Sequence, residues 1–179
     1  MKKILVVSLV VASLLVSGVL AFAAGGWRWS ASSGTARLSL PGSVASVVLD
    51  ALAGPEGEYA AYATYAAILE QYGDVQPYAN ILVAESRHIA ALAQILDRYG
   101  VSYPAENPYL GTIEAPVTLA EAAQTGVDAE IANVALYDAQ LAAVSAYSDI
   151  VRVFSSLRAA SLEAHLPAFE LALENGGSY

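Results

Sequence analysis

Tyr78-Ala-Asn-Ile-Leu-Val-Ala-Glu85-Ser-Arg-His88-Ile-Ala-Ala-Leu-Ala-Gln-Ile-Leu-Asp-Arg-Tyr99 reads as a helix by its local chemistry. Pro77 suits a first helical position, Arg98 a last turn, and Gly100 the left-handed residue beyond the end. Steps of four and three residues place Ile81, Glu85, His88, Leu92, Ile95 and Tyr99 on one face. A carboxylate and an imidazole thus stand where two core hydrophobes belong. An unpaired buried carboxylate costs several kcal/mol, so such a group is normally neutralised by a proton, a cation or a metal. Glu-x-x-His is also the ligand pair that two-metal sites in helical bundles draw from one helix.

The same reading extends outward. Ser43 to Tyr72 has helical apolar spacing broken at Gly54-Pro55, so one helix kinks there or two helices meet. Glu58 shares a stripe with Tyr62, Tyr65 and Leu69; as an acid in a first turn it would merely complement the helix dipole. The tyrosines are core residues by spacing, although a hydroxyl beside a metal can hold a ligand in place. Residues 73–76 are a short connection that makes the first two helices antiparallel neighbours. Residues 100–117, with Pro104, Pro108 and Pro116, are long enough to run the length of a bundle, a crossover that sets the third helix parallel to the second.

Thr118-Leu-Ala-Glu121 is a capping box that opens the third helix. Its stripe is Ala123, Val127, Glu130, Val134, Tyr137, Leu141 and Val144, apolar except for Glu130, with Asp128 and Asp138 to the side. Ser148 starts a fourth helix whose face reads Phe154, Arg158, Leu162, His165 and Phe169, and Pro167 should bend it. A single core histidine is ordinarily a hydrogen-bonding residue; facing carboxylates make His165 a candidate ligand. Glu58, Glu85 with His88, Glu130 and His165 therefore come from four successive helices. One spacing is awkward: Glu58 lies some six residues deeper than Glu85, about 9 Å at the helical rise. A staggered turn or long side-chain reach has to close that gap.

Composition bounds the rest. The 179 residues carry 17 acids against 8 basic residues, a net charge of −9, and no cysteine. Disulfides, thiolate metal sites and iron–sulfur clusters are excluded, and binding to a nucleic-acid backbone is disfavoured. Met1-Lys2-Lys3, the apolar run from Ile4 to Leu20 and Ala21-Phe22-Ala23 form a secretory signal with cleavage after Ala23, or an uncleaved anchor from Ile4 to Ala24. The expected division is signal 1–23, flexible linker 24–42 and one helical domain 43–175, extracytoplasmic, touching a membrane only if the signal stays on. Removal of Lys2 and Lys3 would take the charge to −11. His-Glu-x-x-His, a Gly-rich phosphate loop and a Ser-His-Asp set are all missing, which leaves hydrolase and nucleotide-binding readings without support.

The constellation resembles the ferritin-like di-metal carboxylate superfamily, whose pattern is Glu, Glu-x-x-His, Glu, Glu-x-x-His across an antiparallel four-helix bundle with a long crossover after the second helix. Within it the chain is most similar to a prokaryotic ferritin-like family known as a domain of unknown function. The matching phrases are Glu56-Gly-Glu58-Tyr-Ala-Ala-Tyr-Ala-Thr-Tyr65 ending in Gln71-Tyr72-Gly73, Ala84-Glu85-Ser-Arg87-His88 running to Arg98-Tyr99-Gly100, Gly126-Val-Asp-Ala-Glu130, and His165-Leu-Pro-Ala-Phe169. Three residues before His165, where the superfamily motif has glutamate, this chain has Leu162. The resemblance implies an all-α ferritin-like fold and a metal centre on Glu58, Glu85, His88, Glu130 and His165, with Glu85 bridging and Glu58 and Glu130 terminal. Oxygen and nitrogen ligands without sulfur suit iron or manganese, and zinc as well. A di-iron site reacting with oxygen or peroxide is the first expectation. A non-catalytic metal-binding protein of the cell envelope is the second, and a structural helical module with a metal-free polar network the third.

Overall fold

The computed structural model describes residues 38–179, and helices are its regular elements; among the described residues no strand forms. The expected signal and most of the expected linker lie outside the described residues. Two helices meet at the Gly54-Pro55 break: α1 (Gly42–Ala53) and α2 (Glu58–Tyr72). Gly54 closes α1 by donating its N–H to the Asp50 carbonyl at 2.8 Å. Gly57 follows so tightly that a Cβ there would stand 2.7 Å from two carbonyl oxygens of α1, so only glycine fits.

After a turn at 73–77 the chain returns antiparallel to α2 as α3 (Tyr78–Tyr99). Gly100 ends it in the left-handed region, with φ 66°. The link that follows is fixed along α2 at both ends. Near the start of α2, the Tyr59 hydroxyl donates to the Pro104 carbonyl and the Asn107 amide to the Tyr59 carbonyl. Near its end, Gln71 and Tyr72 both donate to the Pro116 carbonyl. The chain has then travelled the full length of α2. Consequently α4 (Leu119–Gln140) starts beside Tyr78 and runs in the same direction as α3. The Thr118 and Glu121 capping box forms as the sequence predicts.

The last rod consists of α5 (Ser148–Ala160), a π-helical turn (Ser161–His165) and α6 (Leu166–Glu174). Pro167 cannot donate a backbone hydrogen bond, and the helix answers with a widened turn just before it, in which the Leu166 N–H reaches the Ser161 carbonyl. This corrects the face read from the sequence. An α-helical step aligned Arg158 and Leu162 with His165; the wide turn instead aligns Leu157, Ser161, His165 and Phe169 inward. Leu162 is 38% exposed, and Arg158 pairs with Asp138 at the surface.

Two apolar clusters result. One joins Val48, Leu52, Leu92, Leu96, Tyr137, Phe154 and Leu157; the other joins Tyr65, Ile68, Tyr78, Ile81 and Phe169. Beside the second cluster α4 meets α6 at Gly126, where a Cβ would sit 2.5 Å from the Phe169 ring. That ring cannot yield, because it is fully buried between Tyr65 and Tyr78. Gly126→Ala is therefore expected to destabilise the fold by about 1–2 kcal/mol, overpacking outweighing the better helix propensity of alanine. Equilibrium denaturation of the two proteins measures it.

Candidate metal centre

Between the two clusters lie the five residues singled out from the sequence. Glu58, Glu85, Glu130 and His165 are buried and His88 nearly so. The first turn of α2 supplies Glu58, α3 supplies Glu85 and His88 one turn apart, α4 supplies Glu130 at mid-length, and the π turn supplies His165. The six-residue offset is bridged through His88, which lies three residues deeper on α3 than Glu85 and so halves the gap, side-chain reach closing the rest. His88 Nδ1 stands 3.2 Å from Glu58 Oε2 and 3.0 Å from Glu85 Oε2.

His165 approaches from the other side. Its Nδ1 is 3.2 Å from Glu85 Oε1 and 3.4 Å from Glu130 Oε1, near enough for charge attraction but without the alignment of a hydrogen bond. The two imidazoles stack, with ring centres 5.4 Å apart. Glu85 thus presents one oxygen to each histidine. Two groups of potential ligand atoms share it, Glu58, Glu85 and His88 in one and Glu85, Glu130 and His165 in the other, with each group's atoms within 4.8 Å of one another.

Tyrosines brace the outer carboxylates. Tyr65 on α2 donates to Glu130 Oε1 on α4 at 2.7 Å, and Tyr137 on α4 donates to Glu58 Oε1 on α2. Each hydroxyl reaches across to the other helix, so α2 and α4 are tied together through the site. Burial, then the neighbouring carboxylates, push both phenols well above their usual range, which keeps them protonated donors. Asn133, three residues after Glu130, accepts from the buried Ser161 hydroxyl at 2.9 Å. Sequence reasoning missed both of these residues. The signal was present: Glu130-x-x-Asn133 repeats the spacing of Glu85-x-x-His88 on a facing helix.

The electrostatics separate acids from bases. Burial raises Glu58, and the Glu85 charge raises it further, to about 7. Burial acts the same way on Glu85, but the facing imidazoles of His165 and His88 prevail and bring it down to about 2. Burial opposes a charged imidazole, yet the facing carboxylates win at both histidines, pushing His88 up to about 10 and His165 to about 9. Without a metal the pocket is therefore an ion network of imidazoliums and carboxylates. It is self-neutralised by protons that a metal can replace.

No family model matches the chain, and neither curated proteins nor solved structures give a match.

Proposed function

We propose that the chain is an extracytoplasmic ferritin-like four-helix bundle holding two metal ions, iron first among them, on Glu58, Glu85, His88, Glu130 and His165. The supporting observation is the placement of Glu85, whose two oxygens face two different histidines at 3.0 and 3.2 Å, as a bridging carboxylate requires. The donor set fits. Three carboxylates and two imidazoles are hard or borderline ligands, and the buried His165 Nδ1 has no aligned partner of its own. A pair of iron ions, when bound there, supplies the electrons for reaction with dioxygen or peroxide; manganese and zinc suit the same ligands. The protein's part is to hold Glu58 and Glu130 by the Tyr137 and Tyr65 hydroxyls, to keep both imidazoles turned inward, and to surround them with apolar layers. The extracytoplasmic location rests on the Lys2-Lys3 start, the apolar run and the Ala21-Phe22-Ala23 site. Among the described residues no helix is long and apolar enough to cross a membrane.

Metal analysis of protein purified without added metal tests the reading. About two equivalents are expected in the wild type and about one in His88→Ala. Unchanged metal content in His88→Ala would sink it. A second reading, a single non-redox ion on Glu58, Glu85 and His88, is favoured by one observation. Ser161 faces inward beside His165 where a further carboxylate would serve, and its hydroxyl is already tied to Asn133. One equivalent, with no optical change when anaerobically Fe(II)-loaded protein meets oxygen, would select it.

A further inference from the structure

A cavity of about 180 Å³ opens between α2 and α4, room for a small cluster of waters. Its wall is graded from solvent inward. Glu56 is exposed, Ala61, Thr64 and Ala129 are half-buried, and Glu85 and Glu130 are buried. Small side chains leave the space: Ala60 and Ala61 on α2, and Ala129 on α4. Its buried end is made by two carboxylates of the centre. Glu85 belongs to both groups of potential ligand atoms, so one passage serves the whole centre.

The two apolar clusters flank the centre, and a cation crossing either would shed its hydration shell with nothing to replace it. Along the cavity, oxygen replaces it. Thr64 donates its hydroxyl proton to the Ala60 carbonyl at 2.9 Å, which leaves the Thr64 oxygen as an acceptor. At the mouth, Glu56 adds a carboxylate that the metal centre does not use. Among the described residues no basic side chain pairs with it. The mouth is also held in place. Asn133 on α4 donates an amide proton to the Glu56 carbonyl, and the Asn133 oxygen accepts from Ser161 in the π turn.

Resting on the reading of a buried metal centre, we propose that this cavity is the passage by which divalent cations enter and leave, with the Glu56 carboxylate as their first, transient ligand.

The test mixes the metal-free full chain with Co(II) in a stopped-flow, follows the visible Co(II) spectrum, and then follows release into excess chelator. Glu56→Gln should slow uptake by about tenfold, with release slowed to match, so that stoichiometry and affinity stay at their wild-type values. Ala129→Leu narrows the passage and should slow both rates as well. Glu70→Gln is the control: it removes the same charge from an exposed position about 18 Å from the start of α2 at the helical rise. At about 0.1 M salt, where charges are screened beyond about 10 Å, it should leave the rates unchanged. A wild-type rate in Glu56→Gln, a change confined to an exposed side chain, would overturn the proposal and leave the metal centre standing. So would equal slowing in Glu70→Gln. A lost equivalent in Glu56→Gln would make Glu56 a resident ligand and overturn it too. A protein that binds no Co(II) at equilibrium would bring down the metal reading, and this one with it.

Discussion

Glu85→Ala should lower metal affinity at both halves of the site at once, by at least about 100-fold, because changes to groups that merely support a ligand already cost 10–100-fold. Glu58 and Glu130 each serve one histidine, whereas Glu85 serves both, with Oε2 toward His88 and Oε1 toward His165. Their replacement should leave about one equivalent bound, and that of Glu85 essentially none. Competition against a chelator of known affinity, at one pH for all variants, gives the comparison. Retention of two equivalents in Glu85→Ala would show that the shared carboxylate is not a ligand. In the metal-free protein the same substitution removes the strongest common partner of two imidazoliums, so both should titrate closer to neutrality.

Metal affinity should also climb steeply with pH. His88, pushed up to about 10, and His165, pushed up to about 9, are both protonated at neutral pH in the metal-free protein. A cation has to expel both protons, which gives about a 100-fold gain in overall affinity per pH unit between roughly pH 7 and 9 and a plateau once both rings are neutral. Below pH 7 Glu58, raised to about 7, adds a third proton to be displaced. The stability of the metal-free fold has the opposite slope. The histidine contribution is fully present below the unfolded value of 6.5 and is lost as pH rises through 9 and 10. Calorimetry in buffers of different ionisation enthalpy counts the protons released, and a flat pH profile would mean that these imidazoles take no metal.

The sequence made the rods visible because their cues are local. The capping box at Thr118 needs four residues to be recognised, and the end of α3 needs Gly100 alone. The chemistry was visible for a related reason: a glutamate on an otherwise apolar stripe stands out at Glu85 and Glu130, and both are buried. What stayed hidden depends on several elements at once. That Tyr65 and Tyr137 donate across to Glu130 and Glu58 follows from the pairing of α2 with α4, which no spacing within one helix reveals. The depth mismatch between Glu58 and Glu85 looked like an obstacle because helix positions were counted from the turn; His88 carries the connection instead. The fourth rod misled for a backbone reason. Counting at 3.6 residues per turn fails as soon as one turn is wider, so Arg158 and Leu162 were assigned inward when Leu157 and Ser161 are.

That wide turn lets a single rod work in two angular frames. Upstream of it, Phe154 and Leu157 are keyed to one apolar cluster, and downstream Phe169 is keyed to the other. The added residue absorbs the rotational mismatch at the level of His165. A further residue inserted within Ser161–Ala164, with no second wide turn to take it up, would leave a perfectly good helix by propensity, yet it would turn the histidine and everything after it by about 100°. The rod's length in this short stretch, more than its composition, sets the aim of the imidazole.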